Sequence, residues 1–201
     1  MVEGGKSGRG RPREFDEDQV LDAAIDVFCS NGFTAASLSE LTKATGLSVS
    51  SLYKAFGDKD GVFQRALNRY ASLGDRAIAD ATATIGSARD KLAAIVTVYA
   101  GWSLGISGKR GCLVVAGLAE LELLGQASAR RLQDILVHRR AILCDLIEEG
   151  QRDGSIVSRE PPAVLADLLL TIMQGMRVVG KGGLFPADPG PLIILVMRAL
   201  D

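Results

Sequence analysis

Histidine occurs once, at His138, and cysteine only at Cys29, Cys112 and Cys144. A single imidazole and three scattered thiols offer neither a zinc ligand set nor a disulfide framework. No metal and no cofactor are therefore expected. Aromatic residues are scarce, at 5% of the chain, while alanine, leucine and valine dominate the 47% that is hydrophobic. That balance favours packed helices over sheets. Charge of one sign is also missing: the formal net charge is −1, so global charge does not announce a nucleic-acid partner. No apolar leader opens the chain, and no apolar run looks long enough to span a bilayer. The expectation is a soluble, cytoplasmic, reduced protein without membrane contact. There is no nucleophile–base pair or phosphate-cradling loop, which argues against an enzyme. His138, beside Arg139 and Arg140, reads as a solvated or interface residue.

What is present is organised by caps and turns. Residues 1–14 (MVEGGKSGRGRPRE) are rich in glycine and arginine and too polar to pack a core, and so form a flexible basic arm. Asp16 followed by Gln19 marks the start of a helix whose apolar stripe is Val20, Leu21, Ala24, Val27 and Phe28. Asn31-Gly32 is expected to end it. Ser37 with Glu40 forms a second capping box, opening a short helix over Leu38, Leu41 and Ala44 that Gly46 stops. Ser48 caps the next helix and Asp58 the one after, where Val62, Phe63, Ala66, Leu67 and Tyr70 recur at helical spacing. Two short helices joined by a glycine turn, with supporting helices on either side, define a helix-turn-helix unit over residues 15–60.

Such a unit projects the start of its second helix into a DNA major groove. Here that edge is Ser48, Val49, Ser50 and Ser51. Serine donates or accepts toward several bases and Val49 suits a thymine methyl, so the edge does not spell out an operator. One turn later Tyr53 and Lys54 can hold phosphates, and Lys59 sits in the first turn of the following helix, another natural phosphate site. In the arm, Arg9-Gly10-Arg11-Pro12 suits a narrow A·T-rich minor groove through Arg11; a solvated tail is the equal alternative.

The run GLSVSSLYKAFGDKDGVF, with GRPREFD before it and NGFTAASLSEL leading in, resembles the N-terminal domain of the TetR family of bacterial repressors. The resemblance covers about residues 11–67. It implies a phosphate-binding tyrosine at Tyr53, a contact lysine at Lys59 and a helix-two contact at Ser37. Many members carry histidine or tyrosine where this chain has Ala55, which removes one contact and leaves Lys54 as its substitute. The resemblance also implies an all-α fold, a palindromic double-stranded DNA operator bound by a homodimer, and release by a small-molecule inducer. An activator, or a ligand-independent architectural DNA binder, remains open.

Residues 61–201 should then be the ligand-binding and dimerisation domain. Broad apolar stripes over 127–150 and 161–180 are the candidate dimer helices. Segment 92–123 mixes Tyr99 and Trp102 with many small residues, which leaves space for a ligand. Trp102, Val115, Ala119, Met173 and Met176 are candidates for a largely apolar wall, with plain core packing the alternative for each. Cys112 follows Lys109 and Arg110 at the start of a predicted helix, a setting that favours the thiolate. Its Gly-Cys-Leu triplet resembles a TetR subgroup in which some members sense electrophiles or oxidants, with Lys181 as a possible partner cation. Inert packing is the competing reading.

Overall fold

A computed structural model describes residues 15–201; the basic arm and Arg11 lie outside them. The described residues form helices joined by turns, with no strand among them. Helix α1 (Glu17–Ala35) is capped by Asp16, whose carboxylate accepts from the Asp18 amide at 2.9 Å. It is broken at the expected Asn31-Gly32, where Gly32 (φ 81°, ψ −179°) leaves the helical conformation, and a second short turn runs on to Ala35. Helix α2 (Leu38–Thr45) opens with the full Ser37–Glu40 capping box. The Ser37 amide and hydroxyl, which both donate to Glu40, hold that carboxyl below its ordinary range. Gly46, at φ 70°, takes the left-handed conformation that turns the chain into α3 (Val49–Phe56). Asp58 then caps α4 (Lys59–Thr82), which runs on without interruption past residue 60.

The rest of the chain is α5 (Ala88–Trp102), the short α6 (Gly105–Arg110) and α7 (Leu113–Ala119), a 3-10 turn (Leu121–Leu123), α8 (Gln126–Asp153), α9 (Pro162–Lys181) and α10 (Gly190–Met197). Two hydrophobic clusters hold it together. The first joins Leu21, Ala24, Phe28, Leu41, Leu52, Phe63 and Leu67 from α1–α4 to Leu113, Val114, Leu132 and Ile135 from α7 and α8. The edge-on contact of Phe28 with Phe63, ring centres 5.1 Å apart, lies within it. The second packs Leu92, Ile95 and Val96 of α5 against Leu143 and Ile147 of α8 and Leu165, Leu169, Met173 and Met176 of α9. The helix-turn-helix unit therefore shares its core with the body.

Helix α9 corrects one expectation. Its 20 residues, with a mean hydropathy of 1.5 over 18 of them, are long and apolar enough to cross a membrane. In the fold it is a bundle helix: Leu165, Ala166, Leu169, Met173 and Met176 face the core, Arg177 is buried, and Asp167 pairs with Arg140. Its opposite side is an exposed stripe of Val164, Leu168, Thr171, Gly175, Val178 and Val179 at helical spacing. The hydropathy comes from an apolar stripe on each side of one helix.

Candidate functional site

The reading edge of α3 is open. Ser48, Val49, Ser50, Ser51 and Lys54 are exposed and Tyr53 is half-buried, while Leu52 on the opposite side is fully buried. Leu52 thus orients the helix so that its polar side stands outward. The Ser48 hydroxyl accepts from the Ser51 amide at 3.1 Å and lies 2.9 Å from the Ser50 hydroxyl, so part of the serine edge is engaged in capping. Ser37 is likewise exposed but occupied by its capping box.

Lys59, the expected phosphate contact, stands in the first turn of α4. Its ammonium donates to the Thr34 carbonyl at 3.1 Å and lies 4.8 Å from the centre of the Phe33 ring. Burial pulls its pKa below the ordinary lysine value, partly opposed by the charges of Glu120 and Glu40. Glu120, at the end of α7, in turn accepts from the Thr34 amide at 2.6 Å and its hydroxyl at 2.9 Å. Asp60 accepts from the Gly125 amide at 3.0 Å. The link from α7 to α8 thus grips the corners between α1 and α2 and at the start of α4. No local pattern pairs Glu120 with Thr34, 86 residues away, so this contact is not legible in the sequence.

In the body a cavity of about 280 Å³ lies directly against α1. Its walls include Ile25 and Asp26 of α1, Tyr70 and Gly74 of α4, Tyr99 and Trp102 of α5, Ile135 and Arg139 of α8, and Gln174 and Arg177 of α9. Trp102 and Cys112 belong to this wall. Met173 and Met176 lie on the core side of α9 in the second cluster, Val115 packs against the first, and Ala119 is exposed. The wall's two buried arginines, Arg139 and Arg177, have a signal in the sequence. Arg139 continues the i, i+4 line Ile135–Arg139–Leu143, and Arg177 the line Leu165–Leu169–Met173–Arg177, so each guanidinium falls on a core-facing position.

The cations expected beside Cys112 are engaged elsewhere. Arg110 pairs with Asp26 at 2.7 Å, tying α6 to α1. The Lys181 ammonium donates to the carbonyls of Cys29, Ser30 and Arg110, each at 3.1 Å. Gly111, at φ 95°, permits this close approach: a Cβ there would stand 2.9 Å from the Cys29 carbonyl oxygen and from the Lys181 chain. Cys112 itself is buried at the start of α7. Cys29 is buried in the first cluster, and burial, reinforced by Cys112, pushes its thiol up to about 12.

An exposed helix-turn-helix edge mounted on a helical body defines a DNA-reading regulator. The comparisons agree. Residues 20–66 match the family described as bacterial regulatory proteins, tetR family, and residues 88–181 the tetracyclin repressor-like C-terminal domain. The chain is 30% identical over 182 residues to the HTH-type transcriptional repressor ComR of Escherichia coli, covering 89% of this chain and 85% of that protein. It is 35% identical over 109 residues to the repressor BdcR of the same organism, covering 54% and 55%. Among solved structures, a cysteine mutant of the TetR family regulator CifR, complexed with 26-bp double-stranded operator DNA, superposes with a TM-score of 0.78. The identity is 32%, over 94% of this chain and 98% of that one. Reduced NemR of Escherichia coli shares the fold, with a TM-score of 0.74 at 22% identity over 92% and 94% of the two chains. This chain belongs to the TetR family of bacterial regulatory proteins.

The Cys29 environment makes a direct prediction. Its folded pKa of about 12 lies above the ordinary thiol value of 9.0, so its contribution to stability is complete below pH 9 and is lost as pH rises toward 12. At pH 8, iodoacetamide should leave Cys29 unmodified in the native protein and label it after denaturation, read by peptide mass spectrometry. Native labelling at the rate of a free thiol would refute the assignment.

Proposed function

We propose that the chain is a homodimeric transcriptional repressor that reads a palindromic operator with residues 15–60 and is released by a small molecule bound within residues 61–201. The observation that carries this reading is the cavity against α1. A molecule lodged there contacts the helix to which the reading unit is packed, so a chemical event in the body reaches the head through one layer of side chains.

One helix-turn-helix unit makes few contacts, and two units about one DNA turn apart, roughly 34–36 Å, read a palindrome. The exposed stripe on α9 suits a second copy of the chain. Val164, Leu168, Val178 and Val179 are 54%, 42%, 54% and 43% exposed, and a Cβ at Gly175 would meet nothing within 4 Å, leaving room for close helix approach. On α8, Val137 is 65% exposed. Four-helix pairing of α8 and α9 with their symmetry mates would cover these residues. Leu168→Glu should convert the dimer to monomer in sedimentation with little change in helical content; a dimer that persists would move the interface elsewhere.

Operator release requires that the effector bind the form with misplaced heads more tightly than the DNA-bound form. The DNA reading is tested by gel shift on the chain's own upstream DNA. Tyr53→Phe and Lys54→Ala should weaken all operator variants by similar factors, with Lys54→Ala lowering the salt slope by about 1, whereas Ser50→Ala should alter base preference. Absence of a shift on any DNA at low salt would overturn the reading.

A further inference from the structure

The effector chamber is not simply apolar. Arg139 and Arg177 are 6% and 3% exposed, among the most deeply buried charged residues described, and both line the chamber. Charges are rarely buried unless paired and fully hydrogen-bonded. The other charged groups of the wall are exposed and paired: Asp22 is held by Arg69 through two contacts of 2.6 Å, and Asp26 by Arg110 at 2.7 Å. Arg139 pairs with Asp75, but its Nη1 is buried without a partner. Arg177 has no carboxylate partner among the described residues. It donates to the carbonyls of Trp102 and, at 2.9 Å, of Gly111, and its Nε is buried without a partner.

The same wall holds one buried acceptor without a donor, Gln174 Oε1. Orphaned donors on two guanidinium groups beside one orphaned acceptor are an unusual concentration, since buried polar groups are nearly always satisfied. The remainder of the chamber is apolar and aromatic. Tyr99 and Trp102 stand with ring centres 5.1 Å apart, and Ile25, Leu73, Val114 and Ile135 contribute to the wall. A volume of about 280 Å³ is small for a ligand chamber, where about 300–1,000 Å³ is usual.

We propose that the effector is a small aromatic carboxylate. Its carboxylate is held by the guanidinium groups of Arg139 and Arg177, its ring lies against Trp102 and Tyr99, and a ring hydroxyl, where present, donates to Gln174. Charge-assisted bonds to guanidinium are the strong kind, and at buried side chains they discriminate against a neutral isostere. The proposal rests on the effector reading given above and specifies the ligand's chemistry.

Trp102 is the chain's one tryptophan and lines the chamber, so its fluorescence reports occupancy directly. Benzoate, 4-hydroxybenzoate and phenylacetate would be titrated into the full-length protein beside benzamide, 4-hydroxybenzamide and phenylacetamide. At least one acid should change Trp102 emission saturably and bind about tenfold or more tightly than its amide. Arg177→Gln should reduce that acid's affinity by at least about tenfold while leaving the amide's unchanged. If that variant fails to fold, the acid–amide comparison on the unmodified protein decides alone. Equal binding of acid and amide, preference for the amide, or no saturable response to any acid would overturn the proposal. Gel shift with the tightest acid separates the two claims. Saturable acid binding without operator release supports the carboxylate site and refutes induction through it, whereas release by the amides alone refutes the carboxylate and keeps induction.

Discussion

The reading head has no core of its own. Helices α2 and α3 are eight residues each, and each buries one leucine completely, Leu41 and Leu52. Helices that short are marginal without tertiary support. Their support comes from α1 and α4, whose Phe28 and Phe63 are buried in a cluster completed by Leu113, Val114, Leu132 and Ile135 of the body. The position of the DNA-reading edge is thereby set by side chains more than 60 residues away in sequence. Polar contacts repeat the coupling at the surface: Glu120 and Lys59 on Thr34, Asp60 on the Gly125 amide, Arg110 on Asp26, and Lys181 on the carbonyls at Cys29 and Ser30.

That arrangement makes the chamber's location consequential. A molecule against Ile25 and Asp26 touches α1 directly, and under the proposed induction a shift of α1 would carry α2 and α3 with it through Leu41 and Leu52. Lys59 belongs to this polar layer: its ammonium donates to the Thr34 carbonyl and lies over the Phe33 ring.

Local signals carried the first third of the chain. Ser37 with Glu40, Gly46, Ser48 and Asp58 each predict a cap or turn from a few neighbouring residues, and each stands where those residues place it. Gly32 likewise breaks α1 where its neighbours place it, and Glu120 fastens the short turn that runs on to Ala35. The chamber was only partly legible. Trp102 stood out by the mixture of large and small residues around it and Cys112 by its place after Lys109 and Arg110, whereas Met173 and Met176 share α9 with the wall but point into the second cluster. Arginines interrupting apolar lines at Arg139 and Arg177 were the stronger clue, since a charge on a core-facing position requires a reason. The long-range partners of Glu120 and Asp60 depend on how distant helices meet, which no local pattern records.

The central claim is that head and body share one cooperative core, and native-state hydrogen exchange tests it most directly. Amides in the middle of α1, from Leu21 to Phe28, should open with the same free energy as those in the middle of α8 and α9, and Leu132→Ala on α8 should lower the protection of α1 together with its own helix. Exchange of α1 that is orders of magnitude faster than that of α8 and α9, and unmoved by Leu132→Ala, would contradict the account.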